Sequence, residues 1–148
     1  MRIPFLKARK RTPTLYQHGI QSGVELNQRA QVAVTRLFVA EKAIHDDLKF
    51  IIEQVYIVYA LSNFTGSHIV NDLARKALCN LRQEHQDSYN EIPYTFNALT
   101  ALSCSMALKE GVAVLKELPR SEFKIAYVQA KKITGSRKSI TNYLRLFQ

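Results

Sequence analysis

Glu41 and His45 stand one helical turn apart, and Glu84, His85 and Asp87 crowd into four positions. These are the chain's nearest approach to a general acid–base pair or a metal site, both of which need several such groups close together. Neither cluster reproduces the paired Glu-x-x-His spacing of di-iron bundles, and no HExxH pattern occurs. The phosphate-cradling loops G-x-x-x-x-G-K-S/T and G-x-G-x-x-G and the G-x-S-x-G nucleophile elbow are also missing. Cys79 and Cys104 lie 25 positions apart without a CxxC spacing. Both fall in apolar helical patterns, where a thiol is buried and its reactivity low. Tyr127 and Tyr143 sit on apolar stripes and read as core. The expectation is a protein that is not an enzyme, with no catalytic residue, no metal and no cofactor.

What the chain has instead is segregated charge. Residues 1–11 hold Arg2, Lys7, Arg9, Lys10 and Arg11 with no acid, a net +5. Residues 116–148 carry +6, while residues 12–115 carry −2, so the ends supply more than the whole +9 of the chain. Clustered bases displace counterions together, which is what a polyanionic partner requires. Lys7, Arg9, Lys10, Arg11, Lys131, Lys132 and Lys138 are the candidates for phosphate contacts.

The elements that position these residues read as helices. With 148 residues, 47% of them hydrophobic, the chain is the size of one domain with a core. Only 5 Gly and 4 Pro argue against a many-turned β fold. The fold class expected is all-α: a bundle of three to four helices over 21–118, a flexible basic arm over 1–20, and a hairpin over 119–148 packed on the bundle. Ser22 with Glu25 forms a capping box for the first helix, and a joint is expected near His45-Asp46-Asp47. Val55-Tyr56-Ile57-Val58-Tyr59 has strand composition, yet no second strand is evident to pair with it, so helix is preferred. A further helix starts at Ser67 and fades after His85, and Gln86 to Pro93 is a polar connection. The next runs from Tyr94 or Thr95 to Leu118, where Pro119 stops it; its small residues fit a central position. The N-terminus lacks the apolar segment of a secretory signal, and Glu53 and Gln54 interrupt the longest apolar run, Phe50 to Leu61. The expectation is a cytoplasmic protein without a membrane span.

Within 119–148, Ser121 is placed to cap a first helix, Thr134-Gly135 to supply a turn with glycine in a left-handed conformation, and Ser136 to cap a second helix. Ile140, Tyr143, Leu144 and Phe147 fall on one side of that second helix, and Arg137, Lys138, Thr141, Asn142 and Arg145 mainly on the other. Two short helices, a tight turn, and bases and amides outward on the second match the needs of major-groove reading. The stretch Ala130 to Leu146, AKKITGSRKSITNYLRL, resembles the helix-turn-helix of ParB-type DNA-partition proteins without a gap in spacing. That family's turn glycine corresponds to Thr134, with Gly135 one place later, and no upstream nucleotide-binding motif accompanies the match, so CTP is not implied. The resemblance implies that Ser136, Arg137, Ser139, Thr141 and Asn142 lie toward DNA, with Arg137, Thr141 and Asn142 the candidates for base edges. The function expected is a small DNA-binding regulator or accessory protein, DNA preferred over RNA, acting as a homodimer or larger assembly. The alternative is a helical protein-interaction subunit, such as a scaffold, an inhibitor or a small subunit of a nucleoprotein assembly.

Overall fold

Val55 to Tyr59, the segment with strand composition, is helical, and every residue around it explains why. It lies in the middle of α2 (His45–Thr65), which packs against α1 (Arg11–Val39), α3 (His68–Ser88), α4 (Ala98–Glu117) and α5 (Arg120–Ile133). A sixth helix, α6 (Arg137–Leu144), completes the chain. The computed structural model describes residues 11–39, 45–88 and 96–147, and among them the fold is all-α with no strand. Ile51, Ile52, Val55, Ile57, Val58 and Leu61 are buried around the α2 axis, together with Glu53 and Gln54. A helix surrounded on most sides needs β-branched and aromatic bulk rather than a single apolar stripe.

α4 lies against α1, α2 and α3. At Gly111 a side-chain Cβ would stand 2.6 Å from Val58 Cγ2, so the absence of a side chain sets how closely α2 and α4 approach. By length and composition α4 is also apolar enough to cross a membrane, against the expectation that no segment is; half of its apolar window is buried in the fold. It was expected to begin at Tyr94 or Thr95, which lie outside the described residues; its first described residue is Ala98, with Asn97 as the cap, its Oδ1 accepting from the Leu99 N–H at 2.8 Å. Glu84 of α3 reinforces this end, accepting from the Asn97 N–H and the Thr100 hydroxyl. At the other end Pro119 stops the helix as expected and opens α5, whose first turn has no side-chain cap. Ser121 lies inside α5, its hydroxyl donating to Glu122, and so does not cap it.

The largest difference is at the N-terminal side. α1 begins at Arg11, so Ser22 and Glu25 are interior to it, and residues 11–20 are helix rather than arm. Pro13 falls in the first turn, where a missing N–H sacrifices no intrahelical bond; read from sequence it looked like a breaker. Gly23 is buried where α1 meets α5, with Phe123 Cε1 3.0 Å from where its Cβ would be. The described part of α2 starts at His45, residues 40–44 lying outside the described residues, and Arg36 of α1 holds Asp47 of α2 through a two-pronged ion pair at 2.8 and 2.9 Å. The pair raises the Arg36 pKa above its usual value, chiefly through the hydrogen bond. Gly66, at φ +70°, makes the break between α2 and α3 in the left-handed region that glycine tolerates.

Candidate nucleic-acid interface

The hairpin formed by α5, the turn Thr134-Gly135-Ser136 and α6 is fastened to the bundle by a buried carboxylate. Glu53 of α2, 3% exposed, accepts from the Thr134 hydroxyl at 2.5 Å and from Lys131 Nζ at 3.2 Å. The Thr134 oxygen is also 3.0 Å from the Ala130 carbonyl, but its single proton goes to the closer, charged acceptor. Thr134, which stands where the resembling family has glycine, is thus the residue that joins turn to core. Gly135 is not in the left-handed region, contrary to expectation, and a Cβ there would make ordinary contact with the Lys132 carbonyl at 3.4 Å. Ser136 caps α6 as expected, accepting from the Ser139 N–H at 3.1 Å.

On α6, Ile140 and Leu144 are buried. Tyr143 meets Tyr56 edge to face at 5.3 Å, and Phe147 meets Tyr59 at 5.4 Å. The Tyr143 hydroxyl is buried without a hydrogen-bond partner, and burial first, then Tyr56 and Tyr59, push its pKa well up. At 3.6 residues per turn the ridge opposite Ile140 and Leu144 is Lys138, Asn142 and Arg145, all exposed. Arg137 and Thr141 lie on the flank toward α3. Thr141 Oγ1 donates to the Arg137 carbonyl at 2.9 Å, which leaves its oxygen to accept from His85 Nε2 at 3.2 Å.

The candidate residues therefore divide. Lys132, Ser136, Arg137, Lys138 and Asn142 are exposed, and Ser139 is half-buried. Lys131 is half-exposed but tied to Glu53, with its ammonium 5.4 Å from the Tyr127 ring. Thr141 is engaged with α3 rather than turned to solvent. Arg11 is the first residue of α1; Lys7, Arg9 and Lys10 lie outside the described residues.

Sequence reasoning missed the contribution of α3. A groove of about 380 Å³ runs between α3 and α6, bringing Arg82, His85 and Gln86 beside Arg137, Thr141 and Arg145, with Leu144 beneath. Arg82 lies in the net-acidic part of the sequence, so charge segregation pointed away from it. Its signal was local: Arg75, Arg82 and Gln86 recur on the exposed side of α3 at helical spacing. A smaller cleft of about 180 Å³ joins Asp46 and Lys49 of α2 to the turn at Gly135 and Ser136.

The candidate acid–base clusters do not assemble. Glu84 points to α4, His85 to α6, and Asp87 accepts from Gln83 on its own helix. Glu41 lies outside the described residues. Among the described residues, no three His, Cys, Asp or Glu side chains are grouped to hold a metal ion. Cys104 is buried, and burial, then the charge of Glu84, push its thiol pKa well up; Cys79 is half-buried and free. No family model, no curated protein and no solved structure matches the chain.

Proposed function

We propose that the chain is a non-enzymatic nucleic-acid-binding protein, a small DNA-binding regulator or accessory factor that uses the α5–α6 hairpin as its contact surface. One observation carries the reading. From Arg120 to Phe147 the hairpin holds seven bases against one acid, Glu122, and five of the seven, Arg120, Lys124, Lys132, Lys138 and Arg145, form no ion pair among the described residues. Lys132, Lys138 and Arg145 stand in solvent, where they can meet phosphates, and Asn142 on the outward ridge of α6 is the amide best placed for a base edge. α6 is eight residues, about 12 Å long, enough to reach only a few base pairs, and this favours a dimer or larger assembly in use.

The test is duplex-DNA binding by fluorescence anisotropy at graded salt. Affinity should fall steeply with salt, and Lys132→Gln and Lys138→Gln should each lower the slope by about one without changing sequence preference. Asn142→Ala should instead flatten preference in a selection from a random duplex pool. Absence of binding, or binding indifferent to salt, overturns the reading. One observation favours the protein-interaction alternative: Leu99, Leu102 and Met106 form a stripe on α4 that is 71%, 58% and 44% exposed. Weak heparin retention together with recovery of a protein partner that Leu102→Glu abolishes would establish that reading instead.

A further inference from the structure

We infer that α4 is a self-association face: two copies of the chain pair through it in parallel, about a two-fold axis that runs along the helix. The pairing stands on α4 itself; the joint use of two hairpins on DNA rests on the function proposed above.

Every residue of α4 is described, and its charges come as two Lys-Glu dipeptides seven residues apart, Lys109-Glu110 and Lys116-Glu117. The exposed apolar residues keep the same period. Leu99, Met106 and Ala113 recur at seven residues, and Leu102, Lys109 and Lys116 repeat three residues further on, all of them exposed. This is the a and d spacing of a coiled-coil seam, with Glu110 and Glu117 at the e position. Cys104, Ala107, Leu108, Gly111 and Val114 are buried on the other side of the helix. A helix at the surface of a bundle normally turns a polar face outward, whereas α4 turns apolar side chains both ways, as a helix covered from outside as well as within must do.

The charges select what covers it. At about 100° per residue, Lys109 and Glu110 stand on opposite sides of the apolar stripe, each about 50° from its centre and at nearly the same height. Neither dipeptide takes part in an ion pair among the described residues. A second copy running in the same direction brings Lys109 beside its partner's Glu110, and Lys116 beside its partner's Glu117, once on each side of the seam. A copy running in the opposite direction sets the acidic flanks against each other, and an uncharged apolar helix leaves both dipeptides unanswered. Ile69 of α3, 74% exposed, lies on the same side of that helix as Asn80, which donates to Ser103 of α4 at 3.0 Å; it borders the seam and widens the apolar area.

The parallel direction also sets where the hairpins go. Glu84 of α3 accepts from the Asn97 N–H at the start of α4, and its neighbour His85 meets Thr141 of α6. α6 therefore lies toward the N-terminal end of α4, and a parallel pair carries both copies of α6 at one end of the dimer, where they can meet two half-sites of one duplex.

Sedimentation equilibrium over a range of concentrations tests the pairing. The wild type should dimerise with a Kd of about 1–100 μM, and Leu102→Glu should be monomeric. Lys109→Glu and Glu110→Lys each set like charges together on both sides of the seam, and each should weaken pairing about tenfold. Combining the two exchanges in one chain should restore pairing. Mixing the two single variants should also restore it, because every facing pair at this level is then of opposite sign. Thermal melting shows that each variant is folded, and recovery by a second exchange separates lost pairing from lost fold. A wild type that stays monomeric at about 0.5 mM overturns the inference and leaves the stripe to a different partner. Dimerisation that the single exchanges do not weaken, or that the combined exchange does not restore, overturns it as well. On a duplex long enough for two hairpins, Leu102→Glu should bind more weakly than the wild type; equal affinity overturns the joint use of the hairpins. If the wild type dimerises but binds no duplex, the nucleic-acid reading fails and the pairing stands.

Discussion

Removing the Thr134 hydroxyl should reveal how firmly the hairpin is held. Thr134→Val keeps the shape of the side chain but takes away the proton that Glu53 accepts, inside a core where Glu53 is almost wholly shielded from water. The carboxylate keeps only Lys131, at 3.2 Å and with its own side chain half in solvent. A buried charged acceptor that loses its donor costs about 2–3 kcal/mol, against about 1 kcal/mol for a neutral one. In a Glu53→Gln background the same Thr134→Val change should therefore cost only about 1 kcal/mol. A double-mutant cycle measured by urea unfolding should then give a coupling of about 1–2 kcal/mol. Hydrogen exchange should locate the effect, with amides of 131–145 exchanging faster in Thr134→Val while those of α3 and α4 hold their protection. Additivity within about 0.5 kcal/mol would refute the reasoning, because it would mean that Glu53 does not depend on Thr134.

Other consequences are more local. Gly111→Ala should destabilise the fold by about 1–3 kcal/mol through its clash with Val58, and Val58→Ala should recover part of the loss in the same unfolding assay. Gly66→Ala, at φ +70°, should cost about 1 kcal/mol, whereas Gly135→Ala should stay within about 0.5 kcal/mol of wild type; the reverse order in unfolding midpoints would contradict the turn geometry. Ser136→Ala removes the α6 cap and should cost about 1 kcal/mol, with exchange rising first at the Ser139 amide. Raising pH favours the thiolate of a free cysteine, but burial holds the Cys104 thiol protonated. Alkylation of the native protein should modify Cys79 first, and rapid labelling of Cys104 in the folded chain would be the contrary result.

The helices were legible wherever periodicity or punctuation marked them. The break at Gly66 and the stop at Pro119 follow from glycine and proline chemistry that acts over a few residues. α1 was half hidden because Pro13 and Gly19 resemble breakers, and proline is tolerated in a first turn. The central place of α2 was concealed for a different reason. A helix packed by four others has no polar face to mark its period, so its β-branched run read as readily as a strand. Cap residues depend on more than local pattern: Pro119 replaced Ser121 at the start of α5, and Asn97 at the start of α4 is held by Glu84 of α3.

The site shows why a local pattern identifies a surface more readily than the duty of each residue on it. The alternation along α6 separates Ile140 and Leu144 from Lys138, Asn142 and Arg145, and that division is intrinsic to a helix. Thr141 belongs to the polar set in sequence, yet the neighbour that takes its hydroxyl is His85, 56 positions earlier. Lys131 likewise finds Glu53, 78 positions away. Polar residues beside a helix's buried stripe are the ones a neighbouring element can claim, while those opposite the stripe remain for a ligand. Under the proposed DNA contact, this moves the weight of base reading from Arg137 and Thr141 to Asn142, and the weight of phosphate binding from Lys131 to Lys132, Lys138 and Arg145. It also brings α3 beside the proposed contact surface, because the helix that claims Thr141 places Arg82 in the same groove.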